Sequence, residues 1–405
     1  MTTEIELTIL MPCLNEARTL AKCIQQAKAF LLEHGVSGEV LIADNGSTDG
    51  SVGIALNLGA RVIGVEQRGY GAALQAGISA ARGRYIAMAD SDCSYNFGGL
   101  APFLEALRRG QQLVVGNRFK GGIEPGAMPL LHRYLGNPVL SFVGRRFFGG
   151  PLSDFHCGLR AFDRQAVLDL GLITPGMEFA SEMIVKALQS GLRISEVPTT
   201  LAPDERGRPP HLNTWRDGWR HLRFLFLFAP RWLFLYPGAL LLLLGILQFS
   251  AAFAPVGWID GAWPRGVHAE LFAAAACVIG WQTMLLALGV IYARHGAGLE
   301  TNSRSERLIL RWIQGASLVL GGVLMLFAGL LICIELPIEW QRAGFGPLDP
   351  QKTMQILIPG IALTIGGAQA LLAKLYLATL RSAFESSGRL RRNEQKAIGW
   401  RELEL

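Results

Sequence analysis

The fold is decided by residues 5–16, which read IELTILMPCLNE. Residues 5–11 form an apolar run with the length of a buried strand, and the polar residues 12–16 follow it directly. Similar apolar runs at residues 40–43, 61–65, 85–89 and 113–115 predict further strands, and residues 16–34 and 72–81 have helical patterns. Strands that alternate with helices predict an α/β domain with a mostly parallel sheet, whose ligands bind at the carboxyl ends of the strands.

Polar clusters follow three of these strands, the first being residues 12–16. The second is DNGSTD at residues 44–49, where a carboxylate can accept from a ribose hydroxyl or a base edge, although a capped turn explains the same pattern. The third is Asp90-Ser91-Asp92, whose two carboxylates point the same way in an extended segment and can share one divalent cation. That cation, Mg²⁺ or Mn²⁺, would neutralise a diphosphate leaving group, and a plain surface loop is the alternative.

Other phosphate-binding and hydrolytic motifs are missing from the sequence. Gly69-Tyr70-Gly71 lacks the third glycine of the dinucleotide fingerprint, and the chain contains no Gly-Lys pair, which excludes a P-loop. It also contains no HExxH and no GxSxG. Hydride transfer, ATPase and hydrolase chemistry are therefore disfavoured.

The second half of the chain has the composition of a membrane domain. Of the 405 residues 50% are hydrophobic and only 17% are charged, which argues against an ordinary soluble protein. Residues 232–254, 271–293, 312–334 and 353–373 contain no charged side chain. Each stretch can cross about 30 Å of hydrocarbon at 1.5 Å per residue, so we expect four transmembrane helices rather than buried core helices.

The basic residues indicate the orientation of these helices. Arginines crowd the second connection and basic residues crowd the tail, namely Arg294, Arg304, Arg307 and Arg311, then Arg381, Arg389, Arg391, Arg392 and Lys396. Both termini are therefore expected in the cytoplasm, and the first residues lack the pattern of a signal peptide. Ahead of the first span, Trp215, Trp219, Leu222 and Phe226 recur at helical spacing beside arginines, which predicts an interfacial helix.

Taken together, six segments resemble the family 2 glycosyltransferases, in the branch of the dolichyl-phosphate mannose and glucose synthases, over residues 5–215. The segments are MPCLNEARTL, ADNGSTDGS, GYGAALQAGISAARGRYIAMADSDCSY, VVGNRF, DFHCGLRAF and MEFASEMIVKA. The resemblance implies a GT-A-type nucleotide-sugar-binding domain in residues 1–210. An interfacial helix at 211–230, four transmembrane helices within 231–380 and a basic cytoplasmic tail at 381–405 complete the expected organisation.

The resemblance also implies roles for individual residues. Pro12, Leu14, Glu16 and Asp44 would hold the nucleotide, and Asp90 and Asp92 would hold the metal and the diphosphate. Arg118 would reach a phosphate, and Arg206 and His211 would stand on the loop that receives the acceptor; Arg133, Arg160 and Arg208 are further basic residues expected around the crevice. Arginine is suited to this because its guanidinium binds phosphate oxygens in a bidentate fork.

Three positions depart from the pattern of the family. Asn45 stands where many relatives have a second acid, Ser94 where mannose synthases commonly have a glutamine, and His211 where a lysine is frequent. The donor sugar and a third metal ligand are therefore left open. The Gln-x-x-Arg-Trp signature of the processive synthases is missing, which argues against extrusion of a polysaccharide.

The resemblance implies an inverting enzyme of the plasma membrane that moves one hexose from a UDP- or GDP-sugar to a polyprenyl phosphate on the cytoplasmic leaflet. Two alternatives stay open, a glycosyltransferase acting on a diacylglycerol-type lipid and a lipid flippase or assembly platform. Membrane lipids are expected partners and nucleic acid is not. The net charge of +6 does not separate these classes, and glycine pairs in the spans leave a homo-oligomer open.

Overall fold

The computed structural model describes residues 5–207, 214–253, 266–296, 308–311, 313 and 315–401. The chain divides into two compact units, Met1–Ala229 and Pro230–Leu405. The first unit is built on one seven-stranded sheet, and the second consists of long apolar helices. The fold class that the sequence predicted, an α/β domain with a mostly parallel sheet followed by four apolar helices, is confirmed.

The sheet of the first unit has the strand order β3-β2-β1-β4-β6-β5-β7. The strands are β1 (Leu7–Cys13), β2 (Gly38–Asp44), β3 (Arg61–Gly64), β4 (Tyr85–Met88), β5 (Leu113–Asn117), β6 (Arg160–Asp163) and β7 (Ile194–Pro198). All pairings are parallel except those of β6, which runs antiparallel to both β4 and β5. The five strands predicted from apolar runs are present, with ends shifted by up to two residues.

Two strands escaped the sequence analysis because their residues are not simply apolar. β6 carries Arg160, which is fully buried, so the strand lacks an uninterrupted apolar pattern. β7 reads ISEVP, and most of its residues are only half-buried at the edge of the sheet. Short strands of this kind form because pairing partners are supplied by distant segments.

Helices cover the sheet and connect its strands. They are α1 (Leu20–Glu33), α2 (Ser51–Asn57), α3 (Tyr70–Ala80), α4 (Ala101–Arg108), α5 (Arg118–Gly121), α6 (Asn137–Phe148), α7 (Arg164–Leu168), α8 (Phe179–Gln189) and α9 (Thr214–Phe228). α1 buries Leu20, Cys23, Ile24, Ala27 and Phe30, which recur at helical spacing on one face. The core of this unit lies between such faces and the buried strands.

The second unit contains α10 (Tyr236–Phe253), α11 (Val267–Gly296), α12 (Ser317–Arg342) and α13 (Pro350–Arg401). Within the described residues, four segments are long and apolar enough to cross a membrane: Arg231–Ala251, Val267–His295, Ser317–Arg342 and Pro350–Ala383. They overlap the four predicted spans; residues 254, 312 and 314 of those predictions lie outside the described residues.

Close packing inside the second unit depends on small residues and on two polar contacts made by α13. A methyl group added at Gly367 would lie 2.6 Å from the Gly322 carbonyl oxygen, so these two glycines meet within one chain. The Trp281 indole N–H donates to the Gly366 carbonyl at 2.9 Å. Lys374 donates to the carbonyls of Ile313 at 2.7 Å and Gly315 at 3.1 Å, directly before α12 begins.

Candidate functional site

The three predicted polar clusters meet at one edge of the sheet. β1 lies between β2 and β4, so the strand order changes direction at β1, the position where open α/β sheets bind ligands. The Ser91 hydroxyl donates to the Pro12 carbonyl at 2.8 Å, which joins the third cluster to the first. The Asn15 N–H donates to the Ser47 hydroxyl at 2.9 Å, which joins the first cluster to the second.

The first two clusters are interlocked by side chains that bond to backbone. Asn15 has a left-handed backbone conformation with φ of 58°, and its side-chain oxygen accepts from the Thr48 N–H at 2.7 Å. Asp49 accepts from the Ala17 N–H at 2.9 Å, and the Ser51 hydroxyl accepts from the Glu16 N–H at 2.9 Å. These residues shape the loops, which leaves other side chains to contact a ligand.

The nucleotide-binding residues implied by the resemblance line this edge. Asp44 is buried, and one of its carboxylate oxygens accepts from the N–H groups of Gly46 and Ser47, each at 3.1 Å. This is the capped turn that the sequence left open as an alternative. Leu14 has 37% of its surface exposed at the same edge, where an apolar side chain can pack against a flat ring.

Asn45 has a role that the sequence did not reveal. Its amide nitrogen donates to the carbonyls of Val65 at 3.2 Å and Gln67 at 2.8 Å, and its oxygen accepts from the Gly69 N–H at 2.7 Å. A carboxylate could not make the two donated bonds. Asn45 therefore fastens the loop that leads into α3, which begins at Tyr70.

The acidic pair follows β4. Asp92 is buried, and one carboxylate oxygen accepts from Ser94 through its N–H at 2.9 Å and its hydroxyl at 2.5 Å. Burial and the nearby charge of Asp92 raise the pKa of Asp90 to about 6, against the opposing effects of Arg206 and Tyr70. Because the carboxylates of Asp90 and Asp92 repel each other here, the site favours a cation.

The positively charged guanidinium of Arg206 lies beside these acids. The Arg206 guanidinium donates to Asp92 and lies 3.5 Å from a carboxylate oxygen of Glu16. Two contacts fix the loop that carries Arg206. The Glu205 N–H donates to the Asp92 carbonyl at 3.1 Å, and Lys22 pairs with Glu205 at 2.6 Å. Arg206 is thus brought to the predicted site, whereas Arg208 and His211 lie outside the described residues.

The donor set also fits a divalent cation. Mg²⁺ is commonly bound through one or two carboxylates together with substrate phosphates, and Asp90 and Asp92 provide two. Within residues 5–207 and the other described ranges, no group of three or more His, Cys, Asp or Glu side chains is arranged to hold a metal ion.

Replacing Arg206 by glutamine is expected to tighten Mn²⁺ binding by about tenfold in the absence of nucleotide, because it removes a fixed positive charge beside Asp92. Titration of the full-length protein in detergent, with free Mn²⁺ followed by electron paramagnetic resonance, measures this affinity. Arg109→Gln is the matched control, since Arg109 pairs with Glu105 on the exposed surface of α4. An unchanged affinity in Arg206→Gln would contradict competition between the guanidinium and the metal.

Arg118 forms a buried ion pair with Asp154. Its Nε and Nη2 atoms each donate to Asp154 at 2.8 Å, and both side chains are buried. The bidentate fork is therefore occupied by a carboxylate of the chain itself. Asp154 lies in the DFHCGLRAF segment, so this segment holds Arg118 rather than leaving both edges of its guanidinium for a phosphate.

Glu196 of β7 organises the loop that contains Asp154. Its carboxylate accepts from the N–H groups of Ser153 and Asp154, from the Ser153 hydroxyl at 2.8 Å and from the Asn117 amide at 2.8 Å. Burial alone would raise the pKa of Glu196, but these donors outweigh it and hold the pKa below the usual value. The sequence analysis missed this role of Glu196 because it did not predict β7.

Glu196→Gln is expected to lower stability at pH 7 by about 2 kcal/mol, or roughly 4–8 °C in thermal midpoint, because amide donors replace acceptors of buried N–H groups. Since the folded pKa is depressed, this stabilisation is present above the ordinary glutamate pKa of 4.5 and is lost as the pH falls through the folded pKa. Thermal unfolding of both proteins at pH 7 and pH 4 tests it. Glu33→Gln on exposed α1 serves as the control, and an equal deficit at both pH values would count against the ionic contribution.

Arg160 does not serve as a phosphate ligand, although the sequence placed it among the basic residues of the crevice. It is fully buried and donates to the carbonyls of Phe155, Cys157 and Ala180. Glu182 of α8 pairs with Lys186 at 2.8 Å, which gives that acid a structural contact. The contacts of Arg160 and Glu182 stabilise the structure around them, and a strand pattern in the sequence does not reveal such contacts.

Known proteins similar to this chain fall into one group. The model of the glycosyl transferase family 2 matches residues 8–171, and that of the glycosyltransferase family 2 C-terminal transmembrane region matches residues 288–381. The low-salt glycan biosynthesis hexosyltransferase Agl6 of Haloferax volcanii is 36% identical over 370 residues, covering 89% of this chain and 87% of that protein.

Two further similar proteins are more distant. The dolichyl-phosphate hexose transferase of Haloferax volcanii is 30% identical over 193 residues, covering 48% of this chain and 81% of that protein. A solved structure of glucosyl-3-phosphoglycerate synthase from Mycobacterium tuberculosis, with Mn²⁺ and uridine diphosphate bound, is 22% identical with a TM-score of 0.43. It covers 55% of this chain and 78% of that one.

Proposed function

Because the chain belongs to glycosyltransferase family 2, we propose that it moves a single hexose from a UDP- or GDP-sugar to a polyprenyl phosphate, with inversion at the anomeric carbon. It is a glycosyltransferase with a GT-A-type domain and an integral membrane protein. The observation that carries the proposal is the acidic pair Asp90 and Asp92 at the ligand-binding edge of the sheet, in a chain with four membrane spans. The relatives' names, a hexosyltransferase and a dolichyl-phosphate hexose transferase, support this substrate class.

The donor would bind across the carboxyl ends of β1, β2 and β4. Asp44 and Glu16 are the acids placed there to accept from the nucleoside, and Leu14 offers an apolar contact for a flat ring. The Ser91 hydroxyl bonds to the Pro12 carbonyl, so the backbone at Pro12 is a rigid side of the proposed nucleotide site. We assign the nucleotide site to these four residues together with Asp90.

The diphosphate end of the donor would meet the acidic pair. When a divalent cation, Mg²⁺ or Mn²⁺, is held by Asp90 and Asp92, it neutralises charge on the departing nucleoside diphosphate. Arg206 must then exchange its contact with Asp92 for a phosphate oxygen, which a guanidinium binds equally well. Its position between Asp92 and Glu16 makes such an exchange a local movement of one side chain.

The acceptor phosphate is anionic at neutral pH, so its oxygen can attack the anomeric carbon without a strong general base. Catalysis is then a matter of position and charge, and Arg206 and His211 are the residues we assign to the acceptor loop. Arg118 would contact a phosphate while it stays paired with Asp154, through the edge of its guanidinium that Asp154 does not occupy. We place the catalytic domain and both termini in the cytoplasm because the basic connection and tail follow the positive-inside pattern.

The decisive experiment is a transfer assay with a panel of radiolabelled UDP- and GDP-sugars and undecaprenyl phosphate in detergent, with and without Mg²⁺ or Mn²⁺. We expect a chloroform-soluble, acid-labile product that requires both the metal and the lipid phosphate. Undecaprenol, the same lipid without the phosphate, is the matched control acceptor. Product from diacylglycerol but not from undecaprenyl phosphate would instead favour the glycolipid synthase. Vesicles that translocate labelled lipid without any donor would favour the flippase.

A further inference from the structure

Tyr95 is a buried tyrosine in the loop of the acidic pair, and the mechanism above does not use it. It follows Asp92 closely in the chain and is only 3% exposed. Its hydroxyl accepts from the Gly158 N–H at 2.9 Å and from the Cys157 thiol at 3.8 Å. Both partners belong to the DFHCGLRAF segment, more than 60 positions further along the chain. The hydroxyl therefore joins the loop of the acidic pair to that segment.

The backbone on either side of Tyr95 is fixed. The Ser94 carbonyl accepts from the Ala202 N–H at 3.0 Å, and the Asn96 side chain accepts from the Gly98 N–H at 2.8 Å. Burial raises the pKa of the Tyr95 hydroxyl well above its usual value, so the group keeps its proton at neutral pH. The hydroxyl is therefore a neutral acceptor held at a fixed place in the loop.

The segment of residues 154–158 passes very close to the acidic pair. A methyl group added at Gly158 would lie 3.0 Å from Asp90 Oδ2 and 3.2 Å from Tyr95 Cε2. Contacts this short are crowded, so a side chain larger than glycine would push the segment away from Asp90. The hydrogen bond from the Gly158 N–H to Tyr95 thus holds the segment at a close approach that only glycine permits.

The other end of this segment carries the carboxylate that holds Arg118. Asp154 accepts from two guanidinium nitrogens of Arg118, each at 2.8 Å. Between the two ends, Arg160 donates to two carbonyls of the segment, both at 3.0 Å. Because these bonds keep the segment in one shape, a shift at Gly158 is passed on to Asp154 and so to Arg118.

We propose that Tyr95 is a positioning residue for the transfer reaction, because its hydroxyl fixes the spacing between the acidic pair and Arg118. The acidic pair would hold the leaving diphosphate, and Arg118 would contact the acceptor phosphate, so this spacing sets how closely donor and acceptor meet. Tyr95 acts through Gly158 and Asp154. The inference rests on the proposed function and adds a residue to which the resemblance gave no role.

Tyr95→Phe in the full-length protein tests the proposal, because it removes the hydroxyl and keeps the ring that packs in the core. The matched control is Tyr85→Phe, the same change in a second buried tyrosine, at the end of β4 away from the acidic pair. For each protein we would measure kcat, the KM of donor and of acceptor, and the affinity and stoichiometry of Mn²⁺ binding. Hydrogen exchange at the amides of residues 155–158 is followed by mass spectrometry.

We expect Tyr95→Phe to raise the acceptor KM about tenfold and to lower kcat about tenfold or more, because a misplacement of about 1 Å can cost about 10²-fold in rate. The donor KM and both Mn²⁺ parameters should match the parent protein, since Asp90 and Asp92 keep their places. Exchange at residues 155–158 should be about tenfold faster, because the Gly158 N–H loses its acceptor. Tyr85→Phe should match the parent in all of these measurements.

A merely structural role for Tyr95 predicts a different result and would overturn the proposal. In that case Tyr95→Phe lowers the Mn²⁺ stoichiometry, which reports the folded fraction, and leaves both KM values unchanged. Equal changes in the donor KM and the acceptor KM would also contradict it. If the parent protein transfers no sugar, the proposed function fails by itself, and unchanged exchange at residues 155–158 in Tyr95→Phe would still overturn the contact on which this inference depends.

Gly158→Ala is a second variant that changes the same spacing while the hydroxyl of Tyr95 stays in place. Its methyl group would displace the segment from Asp90, as the 3.0 Å contact requires. We expect the acceptor KM to rise and kcat to fall, as in Tyr95→Phe. Parent-like values of both in Gly158→Ala would show that the spacing does not matter for transfer.

Discussion

Asp92→Asn is expected to lower the rate of metal-dependent transfer by at least about 10³-fold, because it removes one of two carboxylates that would hold the cation on the leaving diphosphate. The fold is expected to survive. Asparagine can still accept through its side-chain oxygen from the Ser94 N–H and hydroxyl, which Asp92 accepts in the structure. The loss should therefore appear in turnover and in Mn²⁺ binding, with the thermal midpoint close to that of the parent protein.

The matched control for this result is Asp169→Asn, the same chemical change at an exposed position near the end of α7. Transfer is measured with the donor and acceptor found active for the parent protein, at saturating Mg²⁺ and over a range of Mn²⁺. Asp169→Asn should match the parent in every measurement. Substantial turnover by Asp92→Asn would remove Asp92 from the metal site and leave Asp90 to be tested alone.

Asp154→Asn is expected to be the most destabilising of these substitutions, costing about 3–5 kcal/mol because it leaves the buried Arg118 guanidinium without its counterion. In a unit of this size that corresponds to a fall of roughly 10 °C in the thermal midpoint. Asp154 is fully buried, so water cannot replace the lost charge. Thermal unfolding in detergent measures the shift, with Asp169→Asn again as the control.

A double variant separates the two roles that Arg118 could have. Arg118→Met combined with Asp154→Leu replaces the buried ion pair by apolar side chains, a change that is often nearly neutral for stability. If Arg118 also contacts a phosphate, this double variant regains stability but not transfer. Recovery of both stability and transfer would assign the pair a structural role alone.

The sequence predicted the parts of the site that depend on local pattern. An apolar run followed by polar residues is enough to place Asp44, Asp90 and Asp92 at strand ends, and parallel strands bring such ends to one edge. The resemblance then supplied their roles, and Arg206 does reach the acidic pair in the structure. The placement of the three acids at strand ends uses only residues that are close together in the chain.

The remaining features depend on partners far apart in sequence. Arg118 is held by Asp154, 36 positions away, and Arg206 contacts Asp92, 114 positions away. Nothing in the neighbourhood of Arg160 shows that its donors will be consumed by three carbonyls in the core. Such contacts are decided by tertiary packing, which composition and periodicity do not contain.

The contacts of α13 bear on how the second unit is assembled during synthesis. Lys374 satisfies the carbonyls of Ile313 and Gly315 ahead of α12, and Gly366 accepts from Trp281 of α11. The ribosome makes α11 and α12 before α13, so these polar groups gain their hydrogen-bond partners only after α13 has been translated. The membrane bundle is therefore completed only after the fourth span has been inserted. A stop codon before residue 366 would leave the earlier spans without these contacts, even though every residue assigned to the site had been made.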